Sequence, residues 1–422
     1  MELGTLIQDF YACRSNKRRT VDSMRFDLHR ERDLVRLHED FENRDLPTLL
    51  YSFIATHPRY REVNACLMQG KVIQYHFDTR VRPLVEAELT DRTFNNRVGF
   101  GPDVAINQLL TDIYDVSRGY TRDCWVFFCD VQAYFPSANL PRSYAHYRDL
   151  LERNITDPQE LDELLYILLR TTWSYTALHT HLRSPRWMWE EYIPAYKSIV
   201  FNRDFDRGAS LGNQHWQVAQ NYDLNDFDHL QVDHYGLHYG RFVDDMWWVF
   251  EDREQGKMHM KTVEKDISAY GYHIHPNKRY CQHFSKGGSF ISTPFKPGRV
   301  YASRSVVNRA RMKIRFWNKH VGERYIESFL SCMNSYFGKM KRVNAYGIIR
   351  DLVEEISPRW WRYCFYNDAR RCIMANIGYR RIDILQRKYK FKYHSKNEKG
   401  RNHYRNGFTP LRQRIAPRRS AA

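Results

Sequence analysis

The acidic residues in the sequence with the spacing to do chemistry are Asp244 and Asp245, adjacent within the stretch Tyr239–Phe250, and Asp130, which closes the apolar run Trp125–Cys129. Two neighbouring carboxylates repel, and a tight turn that needs φ > 0 would favour Asn-Gly or Asp-Gly instead. An acidic pair held at a strand junction is the arrangement that binds a hard cation. Residues 239–243 and 246–250 are rich in aromatic and β-branched types and read as two short strands, with the Asp-Asp pair at their junction.

The elements that must position these carboxylates follow from periodicity. Trp125–Cys129 is continuously apolar, as a fully buried strand should be. A long helical region is expected over roughly 141–195, then a flexible loop, Gly208-Ala-Ser-Leu-Gly-Asn213, feeding a helix that runs to about Leu230. After the hairpin, Met260, Val263, Ile267 and Tyr270 recur at helical spacing, and His273–His275 starts another short strand. The order strand, helices, hairpin, helix, strand over 124–280 is that of a ferredoxin-like β-α-β-β-α-β sheet. Such a sheet brings Asp130 beside the hairpin tip, although 114 positions separate it from Asp244.

Upstream, Leu34, Leu37 and Phe41 form one apolar stripe on a charged helix within 16–44, and basic residues alternate along an extended stretch, His57–Val63. An amphipathic segment runs from Val72 to Leu89. The loop Gly99–Asp103 then starts a helix over Val104–Tyr114, with Asp103 as its cap. Beyond Gly298 the chain reads helical and basic to Leu352.

Composition narrows the class. A chain of 422 residues has room for two or three subdomains. Its eight cysteines form no Cys-x-x-Cys pair and read as reduced thiols in a cytoplasmic protein. The N-terminal residues lack a basic-then-apolar leader, and no apolar run approaches the roughly 18 residues of a membrane span, so no membrane role is expected. A formal charge of +17 points to a polyanionic partner, and 15% aromatic residues supply rings that stack on bases. Residues 387–422 hold twelve Lys or Arg against one Glu, a net +11, and read as a solvated basic tail.

Three carboxylates converging from two strand ends make a cradle for two Mg²⁺ ions, which activate a 3′-hydroxyl and steady departing pyrophosphate. At this point Asp130-Val-Gln-Ala-Tyr-Phe135, Gly208–Asn213 and Phe242-Val-Asp-Asp245 resemble the successive palm motifs of reverse transcriptases of the bacterial retroelement type. Lys197-Ser198, His275–Tyr280 and Asn334–Gly338 extend the likeness over about residues 50–350. Within that group the sequence is most similar to diversity-generating retroelement and anti-phage defence enzymes. It departs from them at Ser210, where Pro is usual, and at Trp216-Gln217, where Ser-Gln is usual.

The resemblance implies an α+β right-hand polymerase. Its parts would be an N-terminal region and fingers (1–110), a ferredoxin-like palm with interleaved fingers helices (111–297), a helical thumb (298–355) and a basic C-terminal extension (356–422). It implies metal-binding roles for Asp130, Val131, Asp244 and Asp245. Arg59, Arg61, Phe135, Leu211, Gly212 and Gln217 would contact the incoming dNTP, with Phe135 as the gate that rejects a ribose hydroxyl. Lys278 would protonate pyrophosphate as a general acid. Leu211 stands where many reverse transcriptases carry Gln, a change expected to loosen nucleotide positioning. A structured non-coding RNA template and a cDNA product are the implied partners, and an accessory protein or a second copy of the chain stays open. An RNA-dependent RNA polymerase and a non-catalytic RNA-binding scaffold are the rival readings. Phe135 argues against the first, and the intact set of three carboxylates against the second.

Overall fold

The computed structural model describes residues 1–15, 21–47, 50–56, 60–174, 176–202 and 204–379. Arg59 and the basic stretch 387–422 lie outside the described residues. The chain divides into a unit of residues Met1–Arg299 and a second beginning at Val300.

In the first unit an outer sheet is built from β1 (Leu50–Ala55), β2 (Arg61–Cys66) and, from between the first and second strands of the central sheet in sequence, β4 (Thr180–Leu182). Its order is β2-β1-β4, with β1 antiparallel to β2 and parallel to β4. The central sheet consists of β3 (Trp125–Asp130), β5 (His238–Phe242), β6 (Asp245–Phe250) and β7 (Tyr280–His283). Its order is β5-β6-β3-β7, and every pair is antiparallel. Counted along the chain this is second, third, first, fourth, the ferredoxin-like order expected from the sequence.

Both faces of this sheet are covered, which is why β3 and β6 carry apolar residues in continuous runs rather than in alternation. On one face Trp247 donates through Nε1 to Asp112 (2.9 Å) of the helix Pro102–Val116. On the other, Gly256 of the helix Arg253–Ala269 lies so close to Phe127 that an added Cβ would come within 2.2 Å of its ring. A bulkier residue there would lift that helix off the sheet.

Several expectations are corrected. The helical region after β3 is broken: helices Leu140–Asn154 and Pro158–Thr172 are separated where Asp157 caps the second by accepting from Gln159 N (3.0 Å), and the short strand β4 follows. Asp103 sits in the first turn of its helix, and Gly101 occupies the cap position. The fourth sheet strand is Tyr280–His283; around His273–His275 there is one isolated bridge, Val131 to Ile274. The expected stripe is present, with Leu34, Leu37 and Phe41 buried on the helix Arg30–Glu42.

The second unit packs helices Arg304–Lys319, Ile326–Arg342 and Tyr346–Glu354 around Ile314, Phe329, Met333, Phe337 and Leu352. Trp360 stacks on Phe329 with ring centroids 4.0 Å apart. A hairpin, Cys364–Asn367 with Cys372–Ala375, is tied to the middle helix by Asn334. Its side chain donates to Ile373 O and accepts from Ile373 N, both at 2.8 Å.

Stability of the first unit carries a built-in acid sensitivity. His215 is buried beside Phe77, Tyr147 and Trp216, and burial pushes its pKa down to about 4. An unfolded histidine titrates near 6.5, so between these values the unfolded chain binds a proton that the folded chain refuses. The stabilisation is complete above pH 6.5 and is lost as pH falls toward 4, a change of about 3 kcal/mol from this one residue. Urea unfolding of the wild type and of His215→Leu across this window measures it. The variant should lose less stability on acidification, and parallel pH profiles would contradict the assignment.

Candidate active site

The acidic residues are brought together by strand register. Asp130, the last residue of β3, is paired directly with Asp245, the first residue of β6. Directly paired residues share a face, so the two carboxylates stand on the side of the sheet that carries Phe128 and Trp247. The two-residue turn before β6 is Val243-Asp244, since Phe242 pairs with Asp245. The turn therefore sits one position earlier than the sequence suggests, and Asp245 belongs to a strand.

That turn is strained. Val243 has φ = 61°, a left-handed conformation that costs a β-branched residue about 1–3 kcal/mol. Its backbone is clamped at both ends: Val243 N donates to Asn95 Oδ1 (2.9 Å), and Val243 O accepts from Arg241 Nη1 (3.3 Å). On the far side of the turn, Val131 N donates to Asp244 O (2.9 Å), so the loop after β3 is stitched to the acidic tip.

Arg241 is the hub of this arrangement. It is fully buried and forms an ion pair with Asp228, which is equally buried. Its Nε donates to Asp228 Oδ1 at 2.9 Å, and its Nη2 donates to Asp228 and to Asn221 O (2.9 Å). The remaining Asp228 acceptor sites are filled by Tyr239 Oη (2.6 Å) and Thr93 Oγ1 (2.8 Å). Arg241 Nη1 also reaches Tyr134 Oη at 3.3 Å. The aromatic that follows Asp130 by four positions is thereby joined to the strand that delivers Asp244.

The electrostatics of the tip are those of crowded acids. Burial pushes the Asp244 carboxyl above its ordinary pKa, and the charge of Asp130 pushes it further; Lys278 and Arg61 act in the opposite direction. Lys278, half-exposed, donates through Nζ to both carboxylate oxygens of Asp130 at 2.8 Å each. Hard carboxylate oxygens suit magnesium, which is commonly held by one or two carboxylates with substrate phosphates and water completing its shell. Like-charged residues paired face to face are otherwise destabilising, so the donor set fits a divalent cation. Among the described residues no group of three or more His, Cys, Asp or Glu side chains is disposed to hold a metal ion. The three-carboxylate cradle expected from the sequence is thus not closed: Asp130 is engaged by an ammonium group.

The loop Gly208–Asn213, expected to be flexible, is pinned on two sides. Gly208 N and Ala209 N donate to Ala138 O (2.9 Å) and Phe135 O (2.8 Å). Asn64 N donates to Leu211 O (2.8 Å), and Cys66 N donates to Asn213 Oδ1 (3.0 Å). Gly212, at φ = 123°, lies against β2, where a Cβ would meet Asn64 O at 2.9 Å. These glycines serve close approach rather than mobility.

Phe135 is half-buried and packs between two apolar clusters. Leu211 and Gln217 are half-buried, and Gly212 and Arg61 are exposed. Beside Arg61, Glu62 turns inward and accepts from Trp189 Nε1 (2.8 Å), Ser198 Oγ (2.6 Å) and Ile199 N (2.9 Å), fixing the segment 189–199 to β2. Asp228, Arg241, Asn95 and Glu62 were not singled out from the sequence. The available signal was an arginine inside an apolar strand, two residues before the turn.

No protein-family model matches the chain, and no curated protein matches it. Among solved structures it is similar to apo telomerase from Candida tropicalis truncated from its C-terminal domain, at 11% identity and a TM-score of 0.43, covering 61% of this chain and 56% of that one. It is also similar to telomerase from the same organism in complex with a fragment of telomeric RNA, at 10% identity and a TM-score of 0.42, covering 73% and 54%. The chain spans a little over half the length of these structures.

The buried pair makes a stability prediction. Arg241→Met leaves Asp228 charged and without its counter-ion, at a cost of about 3–5 kcal/mol, whereas Arg241→Met with Asp228→Leu removes both charges and recovers most of that loss. Denaturant unfolding of the two variants measures this. A single variant as stable as the wild type would show that the pair does not hold the turn.

Proposed function

We propose that the chain is an RNA-directed DNA polymerase of right-hand architecture. The observation that carries this reading is the facing of Asp130 and Asp245 across the ends of two central strands, with Asp244 beside them in a strained, clamped turn. In this reading the central sheet is the palm, the outer sheet and its helices are fingers, and the unit from Val300 supplies the thumb. Asp130, Asp244 and Asp245 would hold Mg²⁺, which when bound supplies activation of the primer 3′-hydroxyl and charge neutralisation on pyrophosphate.

The chain's own groups then take these parts. Arg61, exposed on β2, presents a guanidinium to the triphosphate of a dNTP. The bare backbone of Gly212 lets its loop lie against β2, which sets Leu211 and Arg61 on neighbouring elements that face the nucleotide in this reading. Phe135 closes the space that a 2′-hydroxyl would fill. Lys278, which neutralises Asp130 in the resting chain, would pass a proton to the leaving pyrophosphate once released from that carboxylate. Leu211 offers packing to the incoming sugar where a Gln would offer a hydrogen bond, a difference expected to lower fidelity. The template is a dedicated structured non-coding RNA and the product a cDNA, in a bacterial anti-phage defence system or a diversity-generating retroelement.

Asp244→Asn should abolish dNTP incorporation, by at least about a thousandfold, with circular dichroism and RNA affinity close to wild type. Full activity in this variant sinks the active-site assignment. Phe135→Val should raise rNTP incorporation relative to dNTP on one RNA template, because the smaller side chain vacates the space of the 2′-hydroxyl. Competition between the two nucleotides measures the ratio, and an unchanged ratio rejects the gate.

A further inference from the structure

Beside β2 of the outer sheet, over the segment 186–201, the chain exposes aromatic rings to an extent that packing does not require. Tyr60, Trp187 and Phe201 are 46%, 52% and 42% exposed. They are neighbours in one patch. Tyr60 stacks on Tyr192 with centroids 4.0 Å apart and planes 5° from parallel, and Trp187 meets Tyr192 edge-on at 6.1 Å. Arg186, next to Trp187, lays its guanidinium over Phe201 at 5.0 Å.

The rings stand on a rigid base. The short helix Trp187–Tyr192 turns Trp189 inward, where it is buried and bonded through Nε1 to the buried Glu62 of β2. Alternate positions of one helix therefore divide between an anchor and an exposed ring. The patch has no excess of positive charge, since Glu190 pairs with its cation Arg186 at 3.3 Å and Glu191 bonds the Tyr192 hydroxyl. Parallel faces held by a buried anchor, with a cation over one ring, form a surface that recognises flat π-systems more than phosphate charge.

We infer that this patch is a stacking platform for an unpaired nucleic-acid strand. Its place is defined by Tyr60, which precedes Arg61 in the chain and so continues the surface from the nucleotide-facing strand β2. That the strand is the RNA template ahead of the copying site rests on the polymerase reading. Stacking itself rests on the rings alone. A duplex, whose bases are already stacked on one another, offers this patch little, and single strands of RNA and DNA offer it the same faces.

The test is fluorescence anisotropy of the full chain with a labelled oligoadenylate, its DNA counterpart and a blunt duplex, without metal or dNTP. Salt is raised until phosphate contacts elsewhere on this basic protein are suppressed. Trp187→Ala should weaken both single strands by about tenfold or more, Trp187→Phe should restore binding, and the duplex should be indifferent to either change. Unchanged affinity of Trp187→Ala for single strands overturns the platform, as does an equal loss with the duplex. A shift from dimer to monomer in sedimentation, without loss of RNA binding, overturns it in favour of self-association. Because no catalysis is measured, loss of binding in a chain that proves inactive as a polymerase would leave the platform standing and remove only its assignment to a template.

Discussion

The buried ion pair between Arg241 and Asp228 is the interaction on which the rest of the site depends. Two charges with no exposed side-chain surface repay their desolvation only if nearly every donor and acceptor is filled. Here Tyr239, Thr93 and Tyr134 and the carbonyl groups of Asn221 and Val243 fill them. The consequence is geometric more than energetic. Four segments are fixed to one guanidinium: the short helix after β3, the helix Gln214–Asp223, the helix Asn225–His229 that carries Asp228, and the hairpin itself; the loop before the helix Pro102–Val116 joins them through Thr93 and Asp228. A hydrophobic residue in place of Arg241 could fill the volume but could not clamp the carbonyl of Val243.

That clamp matters because the acidic tip opposes its own formation. Val243 adopts a conformation suited to glycine, Asp244 is half-buried beside Asp130, and Asp130 faces Asp245 across the strand pair. Each feature costs stability locally, and each concentrates negative charge at the end of the sheet. Lys278 supplies part of the compensation by embracing Asp130 with its ammonium group. A site that stores this much unfavourable charge in a fixed frame is poised to accept a cation, and in the proposed polymerase that is its use.

Continuous apolar runs made β3 and β6 legible, because a sheet covered on both faces leaves no polar alternation to confuse with a helix. The three acids stood out for the same reason: charge at the end of such a run is rare. What escaped was non-local. Asp228 gives no sign in sequence that its partner is an arginine thirteen positions away on a strand. The strand β4 exists because β1, 130 positions earlier, offers it an edge. Asp157-Pro158 did carry a helix-start signature, overridden by the apolar periodicity on either side. Gly208 and Gly212 suggested mobility, whereas their missing side chains admit Ile199 and β2.

In the proposed polymerase the carboxylates at this turn direct RNA-templated DNA synthesis. The most direct test is extension of a labelled DNA primer on a defined RNA template by the purified full chain, with Mg²⁺ and one dNTP at a time. Extension is expected only by the dNTP complementary to the next template base, and none when metal is chelated. A folded chain that binds the primer-template yet adds no nucleotide, or that extends the primer with ribonucleotides in preference, would contradict this reading.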